Sequence, residues 1–173
     1  MAALGRMFLL VLLVAFLAGA WQARHPPPGG SAAFRTATLE RTRHPRPAPE
    51  LVSVGTARRA GYDRVLFTFR GAMPGYRVGY AATVRDEADR PLALRGDTYL
   101  TVAFTPALAH RPDGAPTFQG GGTITTDYPD LQQVRFAGDF EGRVAFGVGV
   151  AGRGGFRVTE LTGPNRVAVD VRG

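Results

Sequence analysis

The chain has no cysteine and no lysine among its 173 residues, only three histidines and one tryptophan. Without cysteine there can be no disulfides, no thiolate metal site and no cysteine nucleophile. The acylated cysteine that anchors bacterial lipoproteins is excluded as well. An exported domain built from this chain must hold together by packing alone, which suits a bacterial secreted protein better than an animal one. Without lysine, arginine carries all 21 positive charges. A GC-rich genome is the plainest source of that bias. Its physical consequence is a formal net charge of +7, which draws the molecule to headgroups, wall polymers and peptide carboxylates.

Long apolar runs are scarce too. The exception is MFLLVLLVAFLAGAW, Met7 to Trp21, which follows Arg6 and ends near the small residues Ala18-Gly19-Ala20. Fifteen residues fall short of the roughly 20 that a membrane-spanning helix needs. Residues 1–23 are therefore read as a cleaved export signal, with an uncleaved N-terminal membrane anchor as the alternative. Either places the folded part outside the cytoplasm, where nucleic acid is not an expected partner. Residues 24–50, RHPPPGGSAAFRTATLERTRHPRPAPE, are rich in proline, small residues and arginine and lack an apolar period. Five arginines against two glutamates give this segment +3. It is predicted to be a disordered linker, a spacer or a basic strap on an anionic surface.

From Leu51 to Gly173 the texture is short alternating runs separated by Gly, Pro, Asp and Asn. Val65, Phe67 and Phe69 fall on one face of a run, with Arg64, Leu66, Thr68 and Arg70 on the other. The same period of two groups Tyr76 with Val78 and Tyr80, Leu100 with Val102 and Phe104, Val144 with Phe146, Val148 and Val150, and Val167 with Val169 and Val171. One buried and one wet face per strand follow from that period. A short turn of helix is expected only near Pro106–His110 or Pro129–Gln133. The predicted fold is all-β: a single β-sandwich or flattened barrel of about eight short strands in residues 51–173. Burying each Val, Leu or Phe at about 1.5–3 kcal/mol is enough to hold such a fold without disulfides.

The ordered pieces GYDRVLFTF, MPGYRVGY, LRGDTYLTV, VRFAGDFEGRVAFGVGV and FRVTELTGPNRVAVDV resemble, in that order, the AMIN-like domain of actinobacterial exported proteins and lipoproteins. The ending LTGPNRVAVDV is also similar to the end of AMIN domains proper, β-sandwich modules that direct wall amidases and pilus secretins to peptidoglycan. The resemblance implies an envelope-facing, non-catalytic module associated with peptidoglycan. Lipid attachment does not transfer, for want of the cysteine. Amidase activity belongs to a separate catalytic domain and is not carried over.

The residues themselves offer little reactive chemistry. A catalytic zinc needs about three protein ligands. Of His25, His44 and His110, only the last lies beyond the linker, and no HExxH pair exists. A serine nucleophile beside a base would have to use Ser53. Two carboxylate pairs remain, Asp139 with Glu141 and Asp127 with Asp130. Both sit in glycine- or proline-bearing turns, and turn chemistry is the favoured reading over a glycosidase-like pair.

If Gly71 to Gly75 is a hairpin turn, Arg64, Arg70, Arg77 and Arg85 come from neighbouring strands. Their guanidinium groups then form a carboxylate-matching surface. Tyr62, Tyr76 and Tyr80 can add flat faces for sugar rings, with Tyr76 and Tyr80 read as partly buried beside Val78. Asp63 is expected to pair with an arginine or cap a strand, and Arg166 with Asp170 to form an exposed ion pair. Ala145, Gly147 and Gly149 make one strand face smooth, for a packed strand or for a bound glycan or peptide.

The candidate ligand-binding set is thus Arg64, Arg70, Arg77, Arg85, Tyr62 and Tyr80. No catalytic residue, metal or cofactor is assigned. The expected function is an exported, non-catalytic envelope module binding peptidoglycan or another anionic wall polymer, with an envelope protein as a further partner. The alternatives are a protein-interaction module working by strand addition, and a carbohydrate-active enzyme using the paired carboxylates.

Overall fold

The computed structural model describes residues 33–173; the expected leader and the first part of the expected linker lie outside them. Among the described residues there are ten strands and no helix, and none long and apolar enough to cross a membrane. The strands are β1 (Leu39–Arg41), β2 (Glu50–Arg59), β3 (Tyr62–Arg70), β4 (Gly75–Ala81), β5 (Thr98–Thr105), β6 (Thr123–Thr125), β7 (Leu131–Phe140), β8 (Arg143–Val150), β9 (Gly155–Leu161) and β10 (Asn165–Arg172). They form two antiparallel sheets, one ordered β1-β4-β5-β8-β7-β6 and the other β2-β3-β10-β9.

Alternation does what its period requires. Val65, Phe67 and Phe69 on β3 meet Val102 and Phe104 on β5, and Phe146 and Val148 on β8, in one core between the sheets. The ring centroids of Phe67 lie 4.9 Å from Phe104 and 5.0 Å from Phe146. Such aromatic pairs contribute about 0.5–1.5 kcal/mol beyond the area they bury. The two expected helical turns are absent. Residues 106–110 run extended, and Leu131 opens β7 instead.

The smooth face of β8 has an occupant from the same chain. A Cβ on Gly147 would stand 2.6 Å from a Leu94 methyl, and one on Gly149 would stand 1.8 Å from the Arg95 carbonyl oxygen. Val84, Leu92 and Leu94, from the segment between β4 and β5, pack there with Ala137 and Ala145. Close packing of the chain on itself therefore accounts for this glycine stripe.

Three sequence expectations are corrected. Gly71 to Gly75 is not a hairpin turn, because β3 and β4 belong to different sheets. The turn residues carry the chain across the sandwich, with Gly71 at φ 89. Arg166 does not pair with Asp170. Asp170 is fully buried and is held by Arg64 and Arg157, its direct neighbours across β3 and β9. Finally, the described part of the expected linker is docked rather than free. Arg35 and Phe156 exchange backbone hydrogen bonds of 2.8 Å each way at β9, and β1 pairs with β4.

That strap covers backbone donors that would otherwise stand exposed at the sheet edges. Residues 108–119 do the same for β2: Leu51 N–H donates to the Leu108 carbonyl and Val54 N–H to that of Gln119. Asp63 also serves the backbone. It is fully buried, and its Oδ2 accepts the N–H groups of Asp130 and Leu131 at 2.8 and 2.9 Å. It caps the start of β7, with no arginine partner among the described residues.

Candidate functional site

Because β3 and β4 part company, the six candidate binding residues divide between the sheets. On the four-stranded sheet, Arg64 is committed to Asp170 through Nε–Oδ1 at 2.6 Å and Nη2–Oδ2 at 3.0 Å. Tyr62 is covered by cations of the same cluster, its ring centroid 5.6 Å from the Arg64 guanidinium and 4.5 Å from that of Arg157. Arg70, opposite Glu50 in register, pairs with it at 3.0 Å. Arg85 lies in the loop after β4 and donates to the Asp89 carbonyl. Tyr80 is half-buried; its hydroxyl accepts the Gly155 N–H at 3.2 Å, and Arg153 lies 4.8 Å over its ring. Only Arg77 remains on an outer face with other cations converging on it.

Those cations come from the strap and, in Arg143, from the start of β8. In β1, Leu39 turns toward the core while Glu40 stands opposite Arg77 and Arg41 opposite Tyr76. Beyond it the Arg43 guanidinium reaches back across the edge, donating to the Pro74 carbonyl at 3.2 Å and to both Glu160 oxygens at 2.9 and 3.0 Å. The Tyr76 hydroxyl donates to the same carboxylate at 3.0 Å. Glu160 on β9 thus ties the strap to both sheets.

Between the strap and the outer face of the six-stranded sheet runs a groove of about 580 Å³. Its lining carries Arg41, Arg43, Arg46, Arg77 and Arg143 against Glu40, five positive charges against one, or +4, with His44 beside them. Ala103, Thr105 and Pro106 are also in the lining. Arg43 and Arg77 are partly satisfied, by Glu160 and Glu40. Arg41, Arg46 and Arg143 are exposed, and their side chains make no hydrogen bond or ion pair with any described residue. Guanidinium groups left free around a shallow trough are suited to two-pronged recognition of carboxylate or phosphate.

Burial, with the hydrogen bond to Glu160 second, pushes the Tyr76 phenol up from 10.0 to about 12. The raised value means that the folded state favours the neutral phenol. Its stabilisation is complete below pH 10 and is lost as pH rises through about 12. In a titration followed at 295 nm, wild type minus Tyr76→Phe should show a tyrosinate transition near pH 12. A transition at the ordinary value would mean that the phenol is not held by the strap's anchor.

The members of each carboxylate pair have different surroundings. Asp139 and Glu141 line different cavities, and Glu141 occupies the β7–β8 turn at φ 50. Asp130 Oδ1 accepts the Gly173 N–H at 2.8 Å, while Asp127 is exposed. Among the described residues no group of three or more His, Cys, Asp or Glu side chains is placed to hold a metal ion.

Sequence reasoning missed Arg41, Arg43, Arg46 and Arg143 as site residues. The first three sit in a segment whose composition reads as a spacer. The fourth opens β8 with nothing local to mark it. Of the sheet edges, β2 is covered at Leu51 and Val54, and β9 at Phe156. No curated protein and no solved structure matches the chain. A family model described as the AMIN-like domain matches residues 49–173, leaving the strap outside.

Proposed function

The chain belongs to the AMIN-like domain family, and from that premise we propose that it is a non-catalytic module of the cell envelope that holds peptidoglycan or another anionic wall polymer in the basic groove. Family membership supports an extracytoplasmic, peptidoglycan-related setting. The observation that carries the finer reading is the convergence on one trough of Arg41, Arg46 and Arg143, whose guanidinium groups make no hydrogen bond or ion pair with a described residue. A polymer bearing a carboxylate at each repeat would meet several of them together, and multiple weak contacts on one chain add up as avidity.

The proposal departs from the sequence expectation in its residues. Arg77 stays in the binding set, Arg64 leaves it for Asp170, the strap contributes Arg41, Arg43 and Arg46, and β8 contributes Arg143. Binding is charge-assisted, so it weakens with added salt. Purified sacculi with native carboxylates should retain the protein, and sacculi whose carboxylates have been amidated should not. Equal retention on both, or retention no better than that of an unrelated protein of the same charge, contradicts the proposal.

A further inference from the structure

A second cavity, of about 450 Å³, has the opposite character. Phe118, Phe136 and Pro116 wall it, and Glu87, His110 and Asp139 supply its polar groups; no arginine lines it, in a chain of net charge +7. The aromatic walls are fixed from behind. Phe118 and Phe136 lie 5.3 Å apart by ring centroid, and each contacts the core ring of Phe146, at 5.9 and 5.3 Å.

Its polar groups are arranged as acceptors. The Asp139 side chain is only 4% exposed. Its Oδ2 accepts the Ala109 N–H and meets His110 Nδ1, both at 2.5 Å, and its buried Oδ1 has no partner. The Asp139 N–H donates to the Glu87 carboxylate, which lies across Gly138 where a Cβ would collide with it. The bridge between His110 and Pro116, with Thr117 N–H donating to Ala109, fixes the backbone that carries the imidazole. In the tautomer whose Nδ1–H donates a hydrogen bond to Asp139, Nε2 is left as an acceptor. Glu87 Oε2 makes no bond to a described residue.

We propose that this cavity binds a primary ammonium carried on an apolar body. The ammonium donates to Glu87 and to His110 Nε2, and Asp139 adds negative charge behind the ring. The body lies against Phe118 and Phe136, whose faces also attract a cation. The site is separate from the basic groove and does not depend on what that groove holds.

The test is an NMR titration of the full chain at pH 8 and fixed ionic strength, with hexylammonium, 1-hexanol and hexanoate as probes. Hexylammonium should give saturable shifts at the His110 imidazole and the Gly122 amide, with affinity about tenfold above that of hexanol. Glu87→Gln, at an exposed position, should remove that preference while leaving the weak hexanol response unchanged. Arg59→Ala, at an exposed position that lines neither cavity, should leave both intact. Equal affinity for hexanol and hexylammonium, a preference for hexanoate, or no saturation with any probe would overturn the proposal.

Discussion

Replacing Asp170 by alanine is expected to cost about 3–5 kcal/mol of folding stability, the range found when one partner of a buried ion pair is removed. The carboxylate sits in a central strand of the four-stranded sheet with no exposure. It receives two hydrogen bonds from Arg64 and one of 2.7 Å from Arg157 Nε. That pairing, despite the cost of burial, holds the Arg64 guanidinium above its usual range. The arginines have little water to turn to. Their side chains are 18% and 15% exposed, and the Phe34 ring lies 4.8 Å from the guanidinium of Arg157. Alanine would remove the carboxylate that both guanidinium groups share. A domain stable by about 5–15 kcal/mol would lose roughly a fifth or more of its margin.

The exposed pair Arg77–Glu40, at 64% and 56% exposure, is the reference. Glu40→Ala should cost about 0–1 kcal/mol. Urea unfolding of the two variants separates these cases. Equal midpoints would show that the buried cluster contributes no more than a surface pair.

Asp170 also marks how far the sequence could be read. Alternation assigned it to the outer face of its strand, which is correct. That this outer face is itself covered depends on Arg64 and Arg157 standing at the same register in β3 and β9, and nothing within β10 encodes that pairing. The core was legible for the opposite reason: Val65, Phe67 and Phe69 declare their face within nine residues. The stretch Gly71 to Gly75 misleads because a glycine-proline turn serves a hairpin and a crossing between sheets equally well. Only the pairing of β4 with β5, and of β3 with β10, distinguishes them.

The same limit hid the site. The strap's composition reads as a spacer, and it docks through a few separated anchors: Leu39 in the core, Arg43 on Glu160, Arg35 on Phe156. Isolated anchors leave no period to detect. His110 and Asp139, 29 residues apart, gave no sequence signal of contact either.

Removing the groove's free cations is the second large effect expected. In Arg41→Ala/Arg46→Ala/Arg143→Ala, three guanidinium groups with no partner among the described residues are lost, so folding stability should change little. If each contributes about 1 kcal/mol to a charged ligand group in this open trough, affinity for a carboxylate-bearing wall polymer falls roughly 100-fold. Charge alone does not require that loss. Arg58→Ala/Arg59→Ala/Arg111→Ala removes the same three charges from exposed positions outside the groove, and should weaken binding only a few-fold through the long-range field. Cosedimentation of these two folded triple variants with native sacculi, at one salt concentration, is the most direct measurement. The expected result is retention by the second and loss by the first. Equal loss from both would mean that the polymer responds to net charge and that the groove is not where it is held.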